Sequence, residues 1–219
     1  GGRMALDRGI PFGDITGLLR GGDPNGGGGR GGGPGGPGSG ALVGPRSGGG
    51  GSAASAHIVY VLDTSGSMRE GNKIGKAREA LKKALSELKP KDTFNIVNFD
   101  GGVHQFAGSM QSATGENVRN GMAYVDAIVL QSGTNVSGAL ERALSHDKIT
   151  HLFLLSDGEP SRGITDPGQL RALVRERNRQ KAQILTLALG LGEQFPGIPL
   201  LKGLAEDNNG KFSYVNLSK

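Results

Sequence analysis

The chain has 219 residues, 41 of them glycine and 10 proline, with no cysteine, no tryptophan and a formal net charge of +5. Zero cysteine excludes disulfide scaffolds, thiolate zinc sites and cysteine nucleophiles, and no apolar run reaches the ~18 residues of a spanning helix. The charge divides into +2 over residues 1–56 and +3 over residues 57–219, and neither value demands a nucleic-acid partner.

Glycine is unevenly spread, with 23 of the 41 in residues 1–51. Residues 1–56 therefore predict a Gly/Pro-rich flexible tail or linker, too poor in apolar side chains to offset its ordering entropy. From Gly21 to about Ser55 such a linker has an r.m.s. span of roughly 30–35 Å. The more apolar residues 10–20 read as the end of an upstream element or a docking segment. Arg-Gly-Gly triplets at Arg20 and Arg30 resemble RNA-binding tails, but no aromatic lies between Gly13 and Ala56 to stack a base. The Gly1-Gly2-Arg3-Met4 opening is neither a native start nor a signal peptide, and reads as the interior of a longer chain.

The remainder, residues 57–219, predicts one domain of alternating strands and helices. Residues 57–63 are a nearly continuous apolar run, as in a strand covered on both faces. Ile74, Ala77, Leu81, Ala84, Leu85 and Leu88 mark a helical stripe that ends before Pro90. Residues 93–99 form a second strand, and Gly101-Gly102 turns into a short antiparallel edge strand over 103–106. Val118, Met122, Val125 and Val129 mark another helix, and Val136, Ala139, Leu140, Ala143 and Leu144 the next. A buried strand over 149–156 precedes Asp166-Pro167, an N-cap with proline at the first helical position. That helix runs to about Gln180 with a basic outer face of Arg171, Arg175, Arg179 and Lys181, read as solvated. A strand over 183–189, a short helix over 199–208 and a strand over 211–215 complete the domain. The fold class is α/β: a doubly wound, mostly parallel open sheet with one short antiparallel edge strand and helices on both faces.

In such sheets ligands bind at the rim formed by the carboxyl ends of the strands. The first strand ends in Asp63-Thr64-Ser65-Gly66-Ser67, and the strand over 149–156 in Ser156-Asp157-Gly158. The loop between them reads Ser132-Gly133-Thr134-Asn135. These segments offer carboxylates and hydroxyls, an oxygen-only set suited to a hard cation, Mg²⁺ above all, with Mn²⁺ or Ca²⁺ as alternatives. The alternation of Asp63, Ser65 and Ser67 aims several side chains at one point, and Gly66 allows the turn to be tight.

Asp63-x-Ser65-x-Ser67, then Thr134, then Asp157, resembles the metal-ion-dependent adhesion site of the von Willebrand factor type A family, over about residues 57–216. The resemblance implies a Rossmann-like fold and a metal held directly by Ser65, Ser67 and Thr134, with Asp63 and Asp157 binding directly or through water. It further implies a divalent-metal-dependent protein-binding module, whose partner presents an acidic side chain to complete the Mg²⁺ coordination. Relatives of this kind also recruit clients to ATP-driven chelatases or chaperones, and a structural domain stabilised by metal is a third reading. Lack of the flanking disulfide of many animal relatives points to a bacterial-type domain. A long linker would suit a membrane-anchored surface protein.

Asp100 and Glu159 stand near the same rim as weaker candidates for supporting contacts or partner binding. His57, His104, His146 and His151 share no ligand spacing. Enzyme readings fare poorly. Ser65 stands where a haloacid dehalogenase-type phosphotransferase needs a second aspartate, no histidine follows the last strands to serve Ser65 or Ser67 as a base, and residues 190–197 miss the dinucleotide-binding glycine spacing. Catalysis is not expected.

Overall fold

The computed structural model describes residues 55–190 and 196–216. Apart from its last two residues, the tail expected over 1–56 lies outside the described residues, as does the docking segment over 10–20. The described elements are β1 (His57–Asp63), a 3-10 segment (Gly66–Asn72), α1 (Lys73–Ser86), β2 (Thr93–Phe99), β3 (Val103–Gln105), β4 (Gln111–Ser112), α2 (Gly115–Ala127), α3 (Val136–Leu144), β5 (His151–Ser156), α4 (Pro167–Arg177), β6 (Gln183–Gly190), α5 (Ile198–Asp207) and β7 (Phe212–Asn216).

The sheet order is β3-β2-β1-β5-β6-β7, with β4 also paired to β2. β1, β2, β5, β6 and β7 run parallel. β3 is the expected antiparallel edge strand, and β4 is a second, unforeseen antiparallel pairing on the other half of β2. Two residues are too few for any alternation to show in the sequence. The order reverses between β1 and β5, so Asp63 and Ser156 end adjacent strands on either side of the switch point.

Period-two alternation explains why both faces of the sheet are buried. Val59 and Val61 pack with Ala139, Leu140, Leu170, Val174, Leu201 and Leu204, under α3, α4 and α5. Ile58, Tyr60 and Leu62 pack on the opposite face with Ala77, Leu81, Leu85 and Val125, under α1 and α2. A nearly continuous apolar run is the sequence form of such a doubly covered strand.

Two helix ends differ from expectation. α2 stops at Ala127, because Ile128 is extended (φ −60°, ψ 134°) and leads the chain to Gln131, which bridges Ser65. Val129 thus leaves the predicted stripe and is 71% exposed. α4 stops at Arg177, because the Asn178 side chain bonds both the N–H and the carbonyl of Ala182 and closes a turn there.

The basic outer face of α4 is not simply solvated. Arg171 holds both carboxylate oxygens of Asp207 at 2.7 and 2.6 Å, Arg175 approaches the same carboxylate at 3.7 Å, and Arg177 reaches Glu141 at 3.1 Å. These pairs join α4 to α5 and α3. At the start of α4, Asp166 Oδ1 accepts the Gln169 N–H at 2.8 Å, the expected N-cap. Asp166→Ala is expected to cost about 1 kcal/mol, read as a lower urea midpoint with an unchanged slope.

Candidate metal centre

The loop after β1 is shaped by its own aspartate. Asp63 Oδ1 accepts the Ser65 N–H at 2.9 Å, folding residues 63–65 back on the strand end. Asp63 Oδ2 accepts the Ser156 hydroxyl at 2.5 Å from the neighbouring strand. Ser65 and Ser67 hydroxyls lie 3.0 Å apart, and Ser67 donates to Asp157 Oδ1 at 2.9 Å. A chain of polar contacts therefore runs from the end of β1 to the end of β5.

Gly158 marks where the loops converge. A Cβ on Gly158 would lie 3.9 Å from each of Asp63 Oδ2, Ser67 Oγ and Thr134 Cγ2. All three segments singled out by sequence thus meet at one point. Asp63 and Asp157 are fully buried, Ser65 and Thr134 nearly so, and Ser67 is exposed. The set has a closed floor of carboxylates and one hydroxyl facing water.

Backbone bonds hold the loops in register. Thr64 N–H reaches the Phe99 carbonyl at 2.7 Å, and Gln131 N–H reaches the Thr64 carbonyl at 3.1 Å. Gly101 N–H bonds Ser132 O at 2.9 Å, and Asn135 N–H bonds Asp100 O at 2.7 Å. Ser161 and Arg162 N–H groups both bond Thr134 O, at 3.0 and 3.2 Å, while Ser161 Oγ accepts the Thr134 N–H at 3.0 Å.

The conformational role expected of Gly66 falls instead on Gly133, which has φ +93° and sits against Gly101. Gly66 is not among the positive-φ residues, so its turn is open to other residue types in conformation.

The weaker candidates are placed differently from each other. Asp100 is buried, with Oδ1 accepting the Gly102 N–H at 2.8 Å and Oδ2 lying 3.4 Å from His104 Nε2. Its side chain folds its own turn, and its carbonyl anchors Asn135. Glu159 is exposed on the loop after Asp157.

Two contributors escaped the sequence reading. Ser156 ends β5 as an apparent strand residue, yet its hydroxyl braces Asp63. Lys73, the first residue of α1, is 2% exposed, and its Nζ lies 2.7 Å from Asp157 Oδ2. The available signal for Lys73 was its place four residues before Ala77 on the apolar stripe of α1, beside carboxylates that call for a nearby cation.

Burial pushes the Asp63 carboxyl up to about 6, and the Asp157 charge adds to the rise. Hydrogen bonds from Ser156 and Ser65 pull the other way. Carboxylates brought together out of water, with hydroxyls between them, fit a hard divalent cation by donor chemistry. Below about pH 6 the proton competes with such a cation for Asp63. Mg²⁺ affinity is expected to fall by about an order of magnitude between roughly pH 6.5 and pH 5, measured by calorimetric titration. An affinity flat over that range would mean that Asp63 takes no part. The sign for folding is opposite: with its folded value raised, Asp63 favours the metal-free fold most at low pH, and that contribution is lost as pH rises through about 6.

The comparisons agree with this architecture. A model of the von Willebrand factor type A domain matches residues 56–214. The chain is 34% identical over 168 residues to inter alpha-trypsin inhibitor, heavy chain 4, of Mus musculus, covering 71% of this chain and 17% of that protein. It is 36% identical over 171 residues to heavy chain H4 of Sus scrofa, covering 73% and 18%. The chain thus spans less than a fifth of the length of these curated relatives. Among solved structures, von Willebrand factor type A from Catenulispora acidiphila superposes with a TM-score of 0.64 at 20% identity, over 74% of this chain and 39% of that one. Proximal thread matrix protein 1 from the mussel byssus, with a zinc-occupied MIDAS motif, gives 0.58 at 19% identity, over 75% and 42%. Sheet order, switch-point loops and family match coincide on the same residues, and the chain belongs to the von Willebrand factor type A family.

Proposed function

We propose that this domain is a divalent-metal-dependent protein-binding module. Asp63, Ser65, Ser67, Thr134 and Asp157 would hold the cation, with Mg²⁺ the first choice for an all-oxygen set. The carrying observation is the convergence of Asp63, Ser67 and Thr134 on Gly158, with the carboxylates buried and Ser67 at the surface. Bound there, a hard cation supplies a Lewis-acidic position that a carboxylate from another protein can complete. The hydroxyls of Ser65 and Ser67 leave the cation's charge unquenched, and the buried floor confines access to one side.

A binding role rather than a catalytic one is supported by the hydroxyl partners. The Ser65 and Ser67 hydroxyls bond each other, Ser67 also donates to Asp157, and no imidazole is among those contacts. The zinc-occupied MIDAS motif of the mussel protein supports metal binding on this fold. The partner is proposed to be a protein presenting Asp or Glu.

A pull-down from source extract in Mg²⁺, repeated with a chelator, tests the reading. Partners retained in Mg²⁺ and released by chelation are expected. Retention indifferent to the chelator would refute metal-dependent capture, and recovery of an ATPase would place the module within a chelatase- or chaperone-type machine.

A further inference from the structure

Lys73 has no place in the ligand set, yet it is built into the site. Gly71 and Asn72 have φ of 55° and 58°, and this left-handed turn immediately precedes α1. Lys73 Nζ lies 2.7 Å from Asp157 Oδ2, 3.4 Å from the Ser67 carbonyl and 3.6 Å from Glu70. Its side chain is 2% exposed and that of Asp157 is 0%, whereas Glu70 is 69% exposed and solvent-screened. Asp157 is therefore held at both oxygens, one by this ammonium and one by the Ser67 hydroxyl.

Burying a lysine is costly unless it is paired. An apolar side chain would fill the same volume at the head of α1, so the charge itself is the distinguishing property of this position. The two carboxylates of the proposed ligand set, Asp63 and Asp157, together bring −2, and Lys73 reduces the sum over these three groups to −1. With a divalent cation added, the cation, its two carboxylates and Lys73 sum to +1 instead of the zero they would reach without the lysine.

We propose that Lys73 is a positioning and charge-setting residue of the metal centre. It weakens the hold on the resident cation and leaves a net positive charge that selects an anionic ligand over a neutral one. This inference rests on the metal-binding reading above. It deepens that reading by naming what makes the site prefer a carboxylate.

Lys73→Gln keeps a hydrogen-bond donor toward Asp157 and removes the charge, while Lys73→Met removes both. Calorimetric titration with Mg²⁺ alone, at neutral pH, on protein whose chelator-treated melting transition is intact, reads the first consequence. Wild type is expected to bind, and the Gln variant to bind about tenfold more tightly, from the loss of a cation close to the metal. The second consequence is read with acetate on Mn²⁺-loaded protein, as the loss of Mn²⁺-enhanced water-proton relaxation when acetate displaces bound water. The Gln variant is expected to need several-fold more acetate than wild type. Met serves for both measurements if Gln fails to fold. Mg²⁺ affinity unchanged or weakened in the folded neutral variant, or acetate displacement unchanged, overturns the role of Lys73. Wild type that binds no Mg²⁺ overturns the metal-centre reading itself.

Discussion

Asp63→Ala is expected to lower Mg²⁺ affinity roughly 100-fold or more while leaving the metal-free fold near its original stability. Loss of supporting groups around a metal already costs 10–100-fold in typical sites, and Asp63 is proposed as a member of the ligand set itself. The small structural cost follows from two opposing terms. The variant loses two hydrogen bonds, from the Ser65 N–H and the Ser156 hydroxyl. It also removes a carboxylate that burial already disfavours in its charged form. A net hydrogen bond contributes about 1 kcal/mol, and a buried unpartnered donor costs about 1–3, so relief of the buried charge offsets much of the loss. Asp63→Asn, which keeps the shape, should retain even more of the fold and still bind Mg²⁺ poorly. Calorimetry gives the affinities and a melting curve in chelator gives the stabilities. Unchanged Mg²⁺ binding in the Ala variant would remove Asp63 from the site.

Gly133→Ala should act in the opposite way, damaging the fold and the metal centre together. At φ +93° a side chain is strained before any neighbour is considered, by about 1–2 kcal/mol. The new Cβ would also stand 2.8 Å from Gly101 Cα and 3.0 Å from Gly101 N. Both are backbone atoms, so the loops must separate rather than a rotamer give way. The reciprocal contact is equally tight, since a Cβ on Gly101 would lie 2.9 Å from Ser132 O. A total loss of roughly 2–4 kcal/mol is expected, as a lower urea midpoint. Thr134 is the next residue, so Mg²⁺ affinity should fall as well. An Ala variant of full stability would show that this loop conformation is not required.

The parts readable from sequence were those whose signal is long or chemical. β1 and β5 announce themselves because a strand covered by helices on both faces admits almost no polar residue until its end. That end, Asp63 on one strand and Ser156-Asp157 on the other, is where polarity returns, and strand ends are where parallel sheets place their sites. The hidden parts depend on contacts between distant segments. β4 is two residues long, and its pairing with β2 has no local signature. Val129 fits a helical stripe, but Ile128 has already left the helix to deliver Gln131 to Ser65. Arg171 looks like a surface charge until α5 brings Asp207 beside it. Lys73 begins an amphipathic helix full of outward lysines, and although it stands four residues before Ala77 on the buried stripe, its partner Asp157 comes from the end of β5. Gly66 suggests a tight turn, and nothing local separates it from Gly133, the one whose backbone needs glycine.

The lacing of the rim loops by main-chain bonds has a kinetic consequence. Thr64, Gly101, Gln131, Asn135, Ser161 and Arg162 each spend an amide hydrogen on a neighbouring loop or strand end. None of these loops can open alone without breaking a bond to another. Their amides should therefore exchange with solvent deuterium more slowly than ordinary connections, approaching the rates of the central strands. Cation entry would then be limited by shedding hydration water rather than by waiting for a loop to order. A partner would meet a surface whose shape is settled before it arrives.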